Sequence, residues 1–196
     1  PFEKNEPKWN DDLKESHRVT LWQGHRPLGK IYLKDDEFKV DSLLGNKVNL
    51  LYPDLDTARS QIEEVVEELL ENIKQSIEDV PDKPKGNLYW KTISESAYEL
   101  KFYSRTVAKN IIVGDIYRGQ YLKGGLPTGE FVKKQGMVME KMTPVGDGVD
   151  RWFSRPNIIN HSFPEKNSLE EAKEQYCTRL KEFERACRSS GLFARR

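Results

Sequence analysis

The apolar side chains of this chain change their spacing twice, and those changes constrain the fold more than any other feature. Between about residues 56 and 80 they recur every three or four positions, which gathers them on one side of an α-helix. From Lys85 to Lys141 they alternate with period two among residues that favour β-strands. The helical spacing returns at Ser168. This order predicts an α+β fold.

The first helical segment is acidic on the side opposite its apolar stripe. Like charges four residues apart repel each other, and Lys74 is the nearest cation, so packing of the stripe must offset the repulsion. Asp54, Asp56 and Thr57 are candidates to cap the N-terminus, and Pro81 predicts the end of the helix. The acidic side chains are Glu63, Glu64, Glu67, Glu68 and Glu71.

The alternating segments predict an antiparallel meander of strands. In one of them Tyr98, Leu100 and Phe102 share a face of the strand. Glu99 and Lys101 share the opposite face. Glycine- and proline-rich turns separate the segments. Strands are predicted at 18–22, 30–33, 38–40, 47–51, 88–93, 98–103, 110–122, 130–134 and 136–142.

The second helical segment, 169–189, begins with a capping box. Ser168 is placed to accept a hydrogen bond from an early helical N–H, and Glu171 to reach back to the serine. We therefore expect one α+β domain over residues 18–191, in which two long amphipathic helices cover an antiparallel sheet.

The two ends of the chain are predicted to lie outside that domain. Residues 1–17 are polar and lack periodicity, which is typical of a flexible arm, and Phe2 and Trp9 would anchor it on a partner. Residues 192–196 form a basic tail that is frayed unless its phenylalanine docks.

Composition and cysteine placement indicate an intracellular protein. Charged residues make up 33% of the chain and the mean hydropathy is −0.77, with no apolar stretch that could span a membrane or serve as a secretory signal. Cys177 and Cys187 lie ten residues apart on one predicted helix, about 15 Å along its axis, which is too far for a disulfide. Free thiols favour a reducing compartment, the cytoplasm or the nucleus.

The sequence does not favour an enzyme. His17, His25 and His161 are scattered and have no histidine or cysteine at ligand spacing, so we predict no metal site and no cofactor. No nucleophile elbow, phosphate-binding loop or calcium-binding loop is present.

One string nevertheless resembles a catalytic motif. Pro81-Asp82, followed after sixteen residues by Glu99-Leu100-Lys101, resembles the PD-(D/E)xK motif of metal-dependent nucleases. The resemblance implies that Asp82 and Glu99 would hold Mg²⁺ and that Lys101 would assist the attacking water. The alternative is that Glu99 and Lys101 belong to an ordinary solvated strand face.

Charge predicts a second function, nucleic-acid binding. Cations with interspersed aromatic residues on a sheet can hold phosphates and stack bases. The competing interpretation is that these aromatic residues are core and that the lysines protect sheet edges or pair with the acidic helix. The predicted contact residues are Lys91, Lys101, Arg105, Lys109, Tyr117, Arg118, Tyr121, Lys123, Lys133 and Lys134.

The C-terminal helix gives a third function, protein assembly. Its apolar stripe can pack on the chain's own sheet or on a second copy of the chain. From the sequence we therefore expect a non-enzymatic intracellular binding or assembly protein, and the nuclease and a protein–protein interaction module are the alternatives.

Overall fold

The computed structural model describes residues 6–12, 17–76, 88–119, 149–159 and 162–194. Nine strands and two helices lie within these residues. The strands are β1 (Pro7–Asp12), β2 (Arg18–Gln23), β3 (Arg26–Lys34), β4 (Glu37–Leu43), β5 (Asn46–Tyr52), β6 (Leu88–Ser94), β7 (Ala97–Ser104), β8 (Lys109–Gly119) and β9 (Arg151–Pro156). The helices are α1 (Leu55–Ser76) and α2 (Leu169–Arg188).

The strands form two antiparallel meanders, and each meander is followed by a helix. Strands β1 to β5 pair in chain order as the first sheet, and β6 to β9 pair in chain order as the second sheet. This confirms the predicted α+β fold with antiparallel strands. The division into two sheets was not predicted: α1 separates β5 from β6, and the two strands do not pair.

Helix α1 packs closely against the first sheet. Asp54 caps it, because its Oδ1 accepts a 2.7 Å hydrogen bond from the Thr57 N–H. Ile62 lies directly over Gly29 of β3, where a Cβ atom would come within 2.7 Å of the isoleucine side chain. The predicted stripe also includes Ile77, which lies outside the described residues. Its described members are buried, and they are Ile62, Val65, Val66, Leu69, Leu70 and Ile73. The predicted end of this helix at Pro81 lies outside the described residues.

Helix α2 joins the same core. The Ser168 Oγ accepts a 3.2 Å hydrogen bond from the Glu171 N–H, as the capping box predicted. The Glu171 carboxylate reaches back to the N–H of Asn167, 3.3 Å away, and not to that of Ser168 as predicted. The helix reaches the first sheet as well as the second, since Gln23 Nε2 lies 4.0 Å from Cys187 Sγ. Apolar side chains of both sheets and both helices therefore form one contiguous cluster.

Part of the N-terminal segment expected to be a flexible arm is strand β1. Trp9 points toward α1, and its indole N–H donates a 2.8 Å hydrogen bond to Glu63 Oε1. The Arg59 guanidinium lies 5.4 Å from the Trp9 ring centroid and 3.3 Å from an Asp11 oxygen. These contacts lie between distant parts of the chain, so the local pattern of residues 7–12 gave no sign of a strand.

Two further segments that concern the predictions are β9 and the C-terminal tail. Strand β9 was not predicted, because Trp152 and Phe153 are adjacent and interrupt the alternation. The tail docks at Phe193, which is buried and whose carbonyl accepts a hydrogen bond from Arg188. The strands predicted at 130–134 and 136–142 lie outside the described residues.

Both cysteines are free, as predicted, and we expect them to differ in reactivity. Burial raises the pKa of both thiols, and Cys187 is completely buried whereas Cys177 is partly exposed. Because the thiolate is the nucleophile, iodoacetamide at pH 8 should modify native Cys177 first and Cys187 only on unfolding. Mass spectrometry after alkylation in denaturant without reductant should show two modified thiols. Equal native rates would contradict the buried position of Cys187.

Candidate nucleic-acid interface

The predicted contact residues that the structure describes do not lie in one patch. Arg105 and Lys109 are exposed at the turn between β7 and β8. Arg118 lies nine residues beyond Lys109 on β8, about 30 Å away along the strand. Tyr117 is buried and stacks on Phe153 with ring centroids 5.8 Å apart. Tyr121, Lys123, Lys133 and Lys134 lie outside the described residues.

The outward face of the second sheet is charge-balanced. A row of directly opposed residues crosses its four strands as Lys91, Glu99, Asp115 and Arg155. Arg155 Nη2 lies 2.7 Å from Asp115 Oδ2, and Lys101 Nζ lies 3.8 Å from Glu99 Oε2. In this row two cations flank two carboxylates, so the row carries no net charge and offers little attraction to a polyanion.

The nuclease motif is not tested by these positions. Glu99 and Lys101 lie side by side on β7, as the alternation predicted, but Asp82 lies outside the described residues. Within the described part of the chain, no three carboxylate, histidine or cysteine side chains gather as metal ligands do.

The first sheet carries the stronger candidate surface, on the side facing away from α1. Along β2 the side chains of Val19 and Leu21 enter the core, so those of Arg18 and Trp22 point outward. The same alternation holds along the neighbouring strands. We call this outward surface the basic face, and it carries Lys8, Arg18, Trp22, Lys30, Tyr32, Lys39 and Lys47.

Strand register brings these residues close together although they are distant in sequence. Arg18 of β2 lies opposite Tyr32 of β3, which lies opposite Lys39 of β4. Neighbouring strands are about 4.8 Å apart, so the three side chains are adjacent. The Lys39 ammonium is 5.5 Å from the Tyr32 ring centroid, a cation–π distance. A second row places Lys30 between Thr20 and Ser42.

The five cations of the basic face have no carboxylate partner among the described residues. None lies within 4.0 Å of a described acidic oxygen, in contrast to Lys101 and Arg155 of the second sheet. Three acidic residues with described side chains belong to these strands. Asp11 pairs with Arg59 on the helix side, and Asp41 lies at a bulge of β4. Glu37 lies on the basic face, opposite Lys34 and two residues before Lys39. The backbone of Asp12 on β1 lies opposite that of Arg18.

The opposite side of the first sheet is acidic, because α1 exposes its glutamates there. Some of that charge is paired: Arg188 of α2 lies 2.6 Å from Glu67 and 2.9 Å from Glu71. Glu68 accepts hydrogen bonds from the Thr106 N–H and hydroxyl. The net charge of zero therefore conceals a molecule with a basic face and an acidic helix on opposite sides of one sheet.

Comparison with protein-family models, with curated proteins and with solved structures finds no match to this chain. Among its described helices, none is long and apolar enough to cross a membrane. The candidate site therefore depends on the geometry of the chain itself.

Sequence reasoning missed the basic face because it grouped cations along the chain. The alternation predicts strands at 18–22, 30–33 and 38–40, but it does not indicate which of these strands pair or in what register. The sequence does carry a signal for this face. Arg18 and Trp22 are an even number of residues apart on one predicted strand, and so are Lys30 and Tyr32 on the next, so each pair lies on one face of its strand. Pairing β2 with β3 then brings the two sets to the same face.

Proposed function

We propose that this protein binds nucleic acid through the basic face of its first sheet. The observation that carries the proposal is a set of five cations without carboxylate partners in the described chain, which share one sheet face with two aromatic rings. Lysine and arginine that neutralise phosphates release condensed counterions, and this release drives most of the affinity for nucleic acid.

The acidic helix α1 also favours binding at the basic face, because it makes the opposite side of the first sheet unfavourable for a polyanion. A polyanion is repelled from the glutamates of α1 and attracted to the opposite face of the sheet, so it approaches in one orientation. The free cysteines are consistent with a reducing compartment such as the cytoplasm or nucleus, which is where nucleic acid is found.

The assembly alternative is less supported by the packing of α2. The apolar side chains that would bind a second copy are buried within the chain's own core. A partner would have to use the remaining polar surface of the helix. The buried set is Ala172, Tyr176, Leu180, Phe183, Ala186 and Cys187.

A triple variant of the basic face tests the proposal. Arg18→Gln, Lys30→Gln and Lys39→Gln together should weaken binding of a labelled oligonucleotide at least 10-fold at about 0.1 M salt. The plot of log affinity against log salt should become shallower by about 0.7–0.9 for each phosphate that the variant no longer neutralises. Fluorescence anisotropy over a series of salt concentrations measures both quantities, and thermal unfolding checks that the variant is folded.

The matched control removes the same number of charges from the second sheet region. Lys91→Gln, Arg105→Gln and Lys109→Gln are all exposed and should leave binding within about twofold, since they lie off the basic face. A larger decrease in affinity in this control than in the basic-face variant would move the interface to the second sheet. Absence of binding by the unmodified protein at low salt would refute nucleic-acid binding altogether.

A further inference from the structure

Trp22 differs from the other three tryptophans of the chain, all of which lie in its described part. Trp9 donates a hydrogen bond to Glu63, Trp90 packs edge-on against Tyr176, and Trp152 packs against Tyr98. Trp22 has no ring partner, no cation over its ring and no hydrogen bond from its indole N–H within the described chain. Trp22 is half-buried, and the part of its side chain that remains accessible lies on the basic face.

Tyr32 is the second ring of this face and is likewise outside the core. Several half-buried aromatic residues, among them Trp9, Tyr98 and Trp152, pack against the apolar core, whereas Trp22 and Tyr32 do not. Tyr32 lies opposite Arg18, and Trp22 lies four residues farther along β2, so the backbone positions of the two residues are about 14 Å apart. Between them is Thr20, which lies opposite Lys30 and is buried by its neighbours.

We infer that the ligand of the basic face is single-stranded nucleic acid, whose bases stack on Trp22 and Tyr32 while its phosphates contact the surrounding cations. This inference rests on the proposed function and names its ligand class. Aromatic rings with cations around them are the two components of known single-strand binding surfaces, because every base has a ring face that can stack.

The width of the sheet argues against a duplex. The major groove of B-DNA is about 12 Å wide and admits a helix or a two-stranded ribbon. Five strands at about 4.8 Å spacing span about 19 Å, so the flat face cannot enter the groove. In a duplex the base faces are also stacked on one another, which leaves Trp22 and Tyr32 without ring partners. A duplex would gain only phosphate contacts.

The experiment compares labelled single-stranded DNA, RNA of the same sequence and the matching DNA duplex. Each probe is longer than the roughly 4–16 nucleotides that a single-strand site covers. The unmodified protein should bind a single strand at least 10-fold more tightly than the duplex. Trp22→Ala should weaken single-strand binding at least fivefold and duplex binding less than twofold, because the variant cannot stack on a base but keeps its cations. Trp22→Phe should retain most of the affinity.

Leu51→Ala is the control, because Leu51 is an exposed apolar residue on the same face and is 56% exposed. It should bind as the unmodified protein does. Equal affinity for single strand and duplex, together with no effect of Trp22→Ala, would overturn the single-strand inference while leaving charge-dependent binding intact. The basic-face triple variant tests the proposed function instead, because it should weaken binding of the duplex and of the single strand together. Failure of the single-strand inference and failure of the proposed function are therefore distinguishable.

Discussion

Gly114→Ala is expected to lower the free energy of unfolding by about 3 kcal/mol, because the added methyl group has no space. Gly114 lies in β8 beneath the phenol of Tyr176, and a Cβ atom there would collide with the Tyr176 oxygen and come within 2.9 Å of the Arg155 carbonyl. Neither neighbour is free to move. Tyr176 is completely buried and is packed between Trp90 and Phe163, with ring centroids 5.6 and 5.0 Å away.

The chain supplies a matched glycine as the control. A Cβ atom at Gly191 would meet nothing within 4 Å, so Gly191→Ala should change stability by less than about 0.5 kcal/mol. Urea denaturation followed by circular dichroism measures both variants. Adding Tyr176→Leu to the Gly114→Ala variant should cost less than Tyr176→Leu alone costs in the unmodified protein, since the two sites share one space. A Gly114→Ala variant as stable as the unmodified protein would show that α2 does not pack against β8 in this way.

Burial also bears on the chemistry of Tyr176. The apolar surroundings raise the pKa of its phenol well above the usual value, so the group is neutral at physiological pH. A neutral phenol can donate a hydrogen bond to the Arg155 carbonyl, 3.5 Å away, and this satisfies its polar atom inside the core. Tyr176 therefore contributes to the packing of the core.

The helices were predictable because their signals are local. Each cap, at Asp54 and at Ser168, is a hydrogen bond between residues three positions apart, so the sequence alone predicts both. The stripe of α1 follows from the helical period alone. Most strands of the described chain were found for the same reason, since alternation with period two is also a local pattern.

The arrangement of the strands was not predictable from those signals. Which strands share a sheet depends on the path of α1, and the contact of Trp9 with Glu63 spans 54 residues. Strand β1 is held by such long-range contacts and by pairing with β2. No local pattern in residues 7–12 records them, which is why this segment was expected to be a flexible arm.

The sequence did not predict the basic face for a related reason. The charges along residues 85–141 do not show which of them are paired, and in the structure Lys101 lies beside Glu99 and Asp115 beside Arg155. What attracts a polyanion is the set of cations on one face that have no carboxylate partner. Identifying that set requires the register of the paired strands. Arg18, Tyr32 and Lys39 become neighbours only when β2, β3 and β4 are paired.

Asn46 connects the two sheets through hydrogen bonds that only an amide can make. Its Oδ1 accepts a 3.0 Å hydrogen bond from the Ile112 N–H, and its Nδ2 lies 2.9 Å from the Ile112 carbonyl. The same Nδ2 also lies 2.9 Å from the Leu44 carbonyl and 3.2 Å from that of Leu43. The turn between β4 and β5 is thereby fixed to β8 of the second sheet.

Asn46→Asp keeps the shape of this side chain but replaces its donor with a charged oxygen that faces three carbonyl groups. We expect the free energy of unfolding to fall by about 3 kcal/mol at pH 7, measured by urea denaturation. Those carbonyls favour the protonated carboxyl, so the native state of the variant binds a proton at higher pH than the unfolded chain does. The deficit should therefore shrink as the pH falls toward about 4, where the unfolded carboxyl also titrates. Asn49→Asp is the control, because it makes the same change at an exposed position of β5, and it should be nearly neutral at both pH values. A similar destabilisation by Asn49→Asp would show that the effect of Asn46→Asp comes from charge alone.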